Sequence, residues 1–231
     1  MIDTARGVQL QRLLQLASPT LPVGTFAYSE GLETAVALGW ICGMEDVRDW
    51  LDGKLVHGFG RLDLPVMYRL YEAWRRQQAV EALRWSRYLM ASRETSERRD
   101  QERHLGTALA ALLSNLGITA ADDWRNGRAH ARIATFAALF SLAAVHWAIA
   151  PDDAATALTW SWLENQVMVA VKLVPLGQTQ GQRLLMDIAE RVPATLAGAR
   201  NLRDDGLAGA LPGATLMSTG HETLYSRLFR S

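Results

Sequence analysis

Cysteine is nearly absent from this chain. The one residue, Cys42, excludes a disulfide framework and any cysteine-based zinc or iron–sulfur site within the chain. Lysine is almost as scarce, with Lys54 and Lys172 against 22 arginines. Neither charge sign is in surplus: 24 basic residues balance 24 acidic ones. That neutrality argues against a general nucleic-acid binder and against a polybasic membrane-surface protein. Proline is missing from residues 66–150, and no run of alternating β-branched residues bounded by turns stands out, so strands are not expected. The first ten residues, MIDTARGVQL, carry an early acid and lack the apolar core of a signal peptide, which leads to an expectation of a cytoplasmic protein.

What is present is ordinary globular material. Hydrophobic residues make up 49% and charged ones 21%, so wholesale disorder is excluded. A length of 231 residues suffices for a full core without staples. Long stretches rich in Ala, Leu, Arg and Glu read as helix after helix. The expected fold is all-α: a single-domain bundle of about ten helices over 1–205, followed by a linker and flexible tail over 206–231.

Periodicity places the elements coarsely. A first helix covers Val8–Ala17 and precedes a loop, SPTLPVGT, at 18–25. Ser29 is a candidate cap for a second helix ending at Gly39. Further helices are expected at 45–60, 62–78, 80–91 and 93–116. In the last of these, Glu94–Arg98 and Arg98–Glu102 have i,i+4 spacing, so its first half reads as a solvated face laced with ion pairs; an anion-binding face is the sharper alternative. The stretch 130–150 is nearly all apolar. From Ile133 to Ala150 it has the minimum length for a membrane span, but its Ala content and lack of interfacial anchors favour the buried central helix of a bundle. Helices beginning at Pro151, Thr179 and after Pro193 complete the body. Residues 206–220 show no period and read as a linker, whereas HETLYSRLFRS at 221–231 regains helical spacing.

Constellations of catalytic chemistry are missing. No two of His57, His104, His130, His146 and His221 have the i,i+3 or i,i+4 spacing of paired metal ligands. His146 reads as a core histidine, His104 as a boundary residue, and His221 as a tail residue open to a partner contact. There is no nucleophile elbow, Walker A or dinucleotide loop, so neither catalytic nor metal-binding residues are assigned. Lys172 is the more informative lysine. On a wheel of residues 157–174, Glu164, Asn165, Met168 and Lys172 form one narrow polar stripe on an otherwise apolar helix. Lys172 is therefore either a lysine snorkelling at a helix end or an interface lysine. In the tail, Leu224, Tyr225, Leu228 and Phe229 form one apolar stripe flanked by Arg227 and Arg230, which either packs on its own domain or enters a groove on another protein.

Four segments in order carry a resemblance: LLQLASPTLPVGTFAYSEGLE at 13–33, SRETSERR at 92–99, SWLENQVMVAVKLVPLGQTQGQRLL at 161–185 and the closing HETLYSRLFRS. Together they resemble the urease accessory protein UreF family over nearly the whole chain. The resemblance implies an all-α, non-catalytic maturation chaperone, usually a dimer. Such proteins bind the accessory protein UreD (UreH in some organisms) and the GTPase UreG. That complex loads nickel into apo-urease, with GTP bound and hydrolysed by UreG; nickel is cargo, and no cofactor is assigned to this chain. Carried over, His221, Glu222, Tyr225, Arg227, Leu228 and Phe229 would dock on UreD, and Glu164, Lys172, Pro175 and Gln178 would belong to the GTPase surface. The loop with Pro22, Gly24 and Tyr28, together with Glu30 and Gly31, would form another functional surface or the dimer contact. Thr25 stands where the family usually has a second glycine, and a β-branched residue is strained there if φ is positive. Two rival readings stay open: a ligand-sensing regulator with a pocket around Trp147, Trp160 and Trp162, and a helical enzyme using the Glu164–Lys172 stripe.

Overall fold

A computed structural model describes residues 4–209 and 211–231. Eleven α-helices and no strand occur among them: α1 Thr4–Ala17, α2 Leu32–Ala37, α3 Met44–Gly53, α4 Asp63–Arg75, α5 Ala79–Ala91, α6 Ser96–Asn115, α7 Phe136–His146, α8 Pro151–Leu173, α9 Gln178–Ala189, α10 Val192–Asn201 and α11 Pro212–His221. A π-helical turn, Lys54–Phe59, prolongs α3. The all-α expectation holds.

The bundle is organised around α7. Residues 137–144 are buried on every side, and their alanines let α4 and α6 approach closely. At the tightest point Gly106 of α6 lies against the 134–135 backbone: a Cβ there would sit 2.4 Å from the Ala134 carbonyl oxygen. Thr135 caps α7 through its hydroxyl, which accepts from the Ala138 N–H. The Trp74 indole donates to the Ala138 carbonyl at 2.9 Å. The apolar run at 133–150 is thus an 11-residue helix flanked by turns, and no helix among the described residues is long and apolar enough to cross a membrane. His146 ends α7 at the surface rather than in the core as expected, because Ala148 reverses the chain with a positive φ of 53°.

α8 is the second organising element. Pro151 opens it in the favoured first-turn position, and it contacts α1, α9 and α10 along its length. Gly181 of α9 faces it where a Cβ would meet Val171 at 2.7 Å.

The chain after residue 205 departs from the expected linker and free tail. Residues 212–221 form α11 against α2; 222–231 are turns, bends and irregular chain rather than helix. The glycines that suggested a linker are contact points instead. Gly209 abuts Leu62 and Gly220 abuts Thr34, while Pro212 starts a helix. Gly31, with φ 87°, flanks α2 at its N-terminus, while the Ser29 hydroxyl accepts the Glu33 N–H of its first turn at 3.4 Å. A Cβ on Gly31 would lie 2.9 Å from the Ser218 backbone nitrogen, so only glycine allows α11 to seat there.

Candidate functional site

Three segments far apart in sequence meet along one side of α8: the loop 18–31, the start of α6, and residues 218–231. Glu30 lies at their centre. It is buried and, unusually for a non-glycine residue, has φ 56°. One carboxylate oxygen accepts from Arg98 at 2.5 Å and from Gln101 at 2.9 Å. The other accepts from Lys54 at 2.9 Å and the Trp162 indole at 3.3 Å. Burial opposes the charge on Glu30, but attraction from Arg98 and Lys54 overcomes it and holds the carboxyl well below the usual carboxylate range. For Lys54, burial and the like charge of Arg98 outweigh Glu30 and lower its affinity for a proton. Beside this triad Arg93, also buried, is clamped between Asp63 and Glu102. The expected i,i+4 pairs of α6 therefore do not form: Arg98 turns to Glu30 and Glu102 to Arg93, because both face inward.

The C-terminal segment is held by the same seam. The Glu33 carboxylate accepts the main-chain N–H groups of Leu228 at 2.6 Å and Phe229 at 3.0 Å. The fully buried His221 ring lies between Glu33, 3.1 Å from Nε2, and Glu97, 2.7 Å from Nδ1. Arg227 donates to the other Glu97 oxygen at 2.8 Å. The Ser231 main-chain oxygen accepts from the Ser29 and Glu30 N–H groups at 2.6 and 2.8 Å. The Arg230 N–H donates to the Ala27 carbonyl at 2.8 Å. Arg230 also hydrogen-bonds the Tyr28 hydroxyl, whose pKa burial nonetheless pushes up.

Out of this seam a mixed surface emerges. Lys172 is exposed, with its ammonium 5.7 Å from the centre of the buried Phe229 ring. Lys172 and Glu164 line a cleft of about 140 Å³ together with Pro19, Thr25, Phe26 and Met168. Glu164 is half-buried, and desolvation pushes its pKa up. Phe26, Met168, Tyr225 and Leu228 are exposed. Thr25 opens a short 3₁₀ turn after Gly24, which takes the left-handed conformation itself at φ 82°. Thr25 is not among the residues with positive φ, so the β-branched side chain is accommodated without strain.

The candidate residues divide accordingly. Tyr28, Glu30, His221 and Phe229 are buried; Pro22, Lys172, Pro175, Gln178, Glu222, Tyr225, Arg227 and Leu228 are exposed. Glu222 accepts from the Ser96 hydroxyl at 2.6 Å. Lys172, Glu164 and Phe229 come together, whereas Pro175 and Gln178 lie past the end of α8 and line no part of the cleft. Sequence reasoning missed Lys54, Glu33, Glu97 and Arg93. The one signal for the first was the rarity of lysine in this chain.

Neither rival site is assembled. Trp147 lies under Arg12, Trp162 stacks on Phe59, and only Trp160 lines the large cleft between α8 and α10. Among the described residues no third titratable group lines the cleft with Glu164 and Lys172. Among the described residues no three His, Cys, Asp or Glu side chains are grouped to hold a metal ion.

The family model described as UreF matches residues 41–189. A protein of Alkalilimnicola ehrlichii named urease accessory protein UreF is 47% identical over 229 residues, covering 99% of each chain. The chain belongs to the UreF family. A UreF of Hahella chejuensis is 43% identical over 96% of this chain and 98% of its own length. One from Pseudomonas entomophila is 46% identical over 96% and 97%. The Alkalilimnicola ehrlichii alignment, unlike the family model, covers nearly the full chain, and so includes the seam and the C-terminal segment that this UreF-family chain folds against it.

Proposed function

We propose that this chain is a non-catalytic urease maturation chaperone acting in the cytoplasm. It binds UreD (UreH) and the GTPase UreG, usually as a dimer, and promotes GTP-dependent nickel insertion into apo-urease by regulating the GTPase. Family membership over nearly the full chain supports the urease role. The observation that carries the partner-binding part is the surface where Lys172, Phe26, Met168, Tyr225 and Leu228 lie exposed around a folded C-terminal segment. Exposed apolar side chains rimmed by charge are the hallmark of a protein-binding patch. The tail residues serve UreD and the Glu164–Lys172 stripe serves the GTPase, so the two docking regions adjoin through the Lys172–Phe229 contact. Nickel passes as cargo of the assembly and is not assigned ligands here. Co-expression with UreD and UreG tests this reading. Capture of both by the full chain is expected, with loss of UreD on truncation after Gly220. Undiminished UreD capture by the truncated chain would contradict the tail assignment.

A further inference from the structure

We propose that the imidazolium of His221 is a protonation-controlled latch that holds residues 222–231 against the body of the protein. A carboxylate has only acceptor oxygens, and a neutral imidazole has one donor and one acceptor nitrogen. Both ring nitrogens of His221 lie against carboxylate oxygens, at 2.7 Å from Glu97 and 3.1 Å from Glu33. Only the doubly protonated ring satisfies both contacts. The charged groups around it agree. Glu33 faces it from α2 and Glu97 from α6. From its own segment, Arg227 binds the far oxygen of Glu97, and Glu222 turns away to the Ser96 hydroxyl. Two carboxylates against one guanidinium leave a single negative charge, which the imidazolium of the fully buried ring balances.

The latch reaches the segment through Glu33. That carboxylate also accepts the N–H groups of Leu228 and Phe229, so the His221 proton helps orient the acceptor on which this main chain hangs. Losing the proton sets a nitrogen lone pair against a carboxylate oxygen. One carboxylate must then turn away, and the Glu33 bonds to residues 228–229 weaken. The latch is closed while the ring holds a proton on both nitrogens and opens when one is lost, so low pH closes it and high pH opens it. The exposed Tyr225 and Leu228 are displaced with the segment, whatever partner they serve.

Amide hydrogen exchange of the full chain tests this, with rates normalised for the intrinsic effect of pH. The window runs from roughly pH 5.5 to 8.5, above the ordinary carboxylate range. Protection at Leu228 and Phe229 is expected to fall about tenfold or more across it, the size of one lost charge-assisted hydrogen bond, while α7 amides stay constant. In His221→Gln, protection of 228–229 is expected to be low and flat with pH, with α7 still protected. Constant protection at 228–229 in the wild-type chain, or wild-type protection in His221→Gln, would overturn the latch. Ring-nitrogen chemical shifts give a second readout that needs no variant. Hydrogens on both nitrogens at the low end are expected, and a neutral ring throughout the window would also overturn it.

Discussion

The apolar centre around α7 and the polar seam around Glu30 both lie inside the fold and are built on opposite principles. The centre is held by non-directional packing of alanine, leucine and phenylalanine, where shape and area decide the energy. The seam is held by charges that each depend on a named partner: Glu30 on Lys54 and Arg98, Arg93 on Asp63 and Glu102, Glu33 on three donors. A packed centre loses stability in proportion to the atoms removed. A paired seam loses it in one step, because the partner left behind stays buried and uncompensated. The seam also joins segments distant in the chain, from residue 29 to residue 231, so it fixes where the C-terminal residues and Lys172 stand relative to one another.

Breaking the seam is the largest expected effect. Glu30→Gln keeps shape but leaves Lys54 and Arg98 buried without their counter-charge, and should cost about 3–5 kcal/mol by chemical denaturation. Leu139→Ala, in the fully buried face of α7, should cost about 2–5 kcal/mol. The discriminating result is location. Glu30→Gln should deprotect residues 228–231 to hydrogen exchange along with α2, whereas Leu139→Ala should weaken α4, α6 and α7 together. Equal patterns for the two variants would show that the regions are one cooperative unit with no separate seam.

Acid sharpens the same contrast. The Glu30 carboxyl is held well below its ordinary range by Arg98 and Lys54 against the cost of burial. Its stabilisation is therefore present above an unfolded value of about 4.3 and is lost as pH falls through the depressed folded value. Stability of the wild-type chain should fall more steeply than that of Glu30→Gln in this acid range. Parallel curves would remove Glu30 from the account of acid sensitivity.

The smallest structural effect belongs to the surface beside the seam. Lys172→Ala removes an exposed side chain that lies beside the Phe229 ring, so stability should change by about 0.5 kcal/mol or less. Urease activation in cells carrying the full accessory set should nevertheless drop. Normal activation would return Lys172 to the snorkelling role.

The same division explains what was legible in the sequence. Helical periodicity and proline positions located ten of the eleven helices, because apolar faces repeat locally, although the apolar stretch 130–150 proved to hold only the 11 residues of α7 in helix. The error at 206–231 arose where the pattern misleads. Gly209 and Gly220 make close contacts rather than marking a linker. The stripe Leu224–Phe229 is pinned by Glu33 at residues 228 and 229 as irregular chain with bends instead of winding into a helix. Ion-pair partners such as Glu30–Lys54, 24 residues apart, leave no periodic trace, so the i,i+4 rule assigned Arg98 to the wrong carboxylates. The Glu164–Lys172 stripe was readable since both residues lie on one helix. Its meeting with Phe229 was not, since the tail approaches from the other end of the chain.

The central claim is that the seam presents the C-terminal segment as a docking surface, and co-purification of Tyr225→Ala/Leu228→Ala with UreD tests it most directly. Both side chains point outward, so the fold, the His221 contacts and the Glu33 main-chain bonds should survive, as exchange protection at Phe229 will verify. The account predicts that UreD capture is lost while the variant remains folded; capture equal to that of the unaltered chain would contradict it.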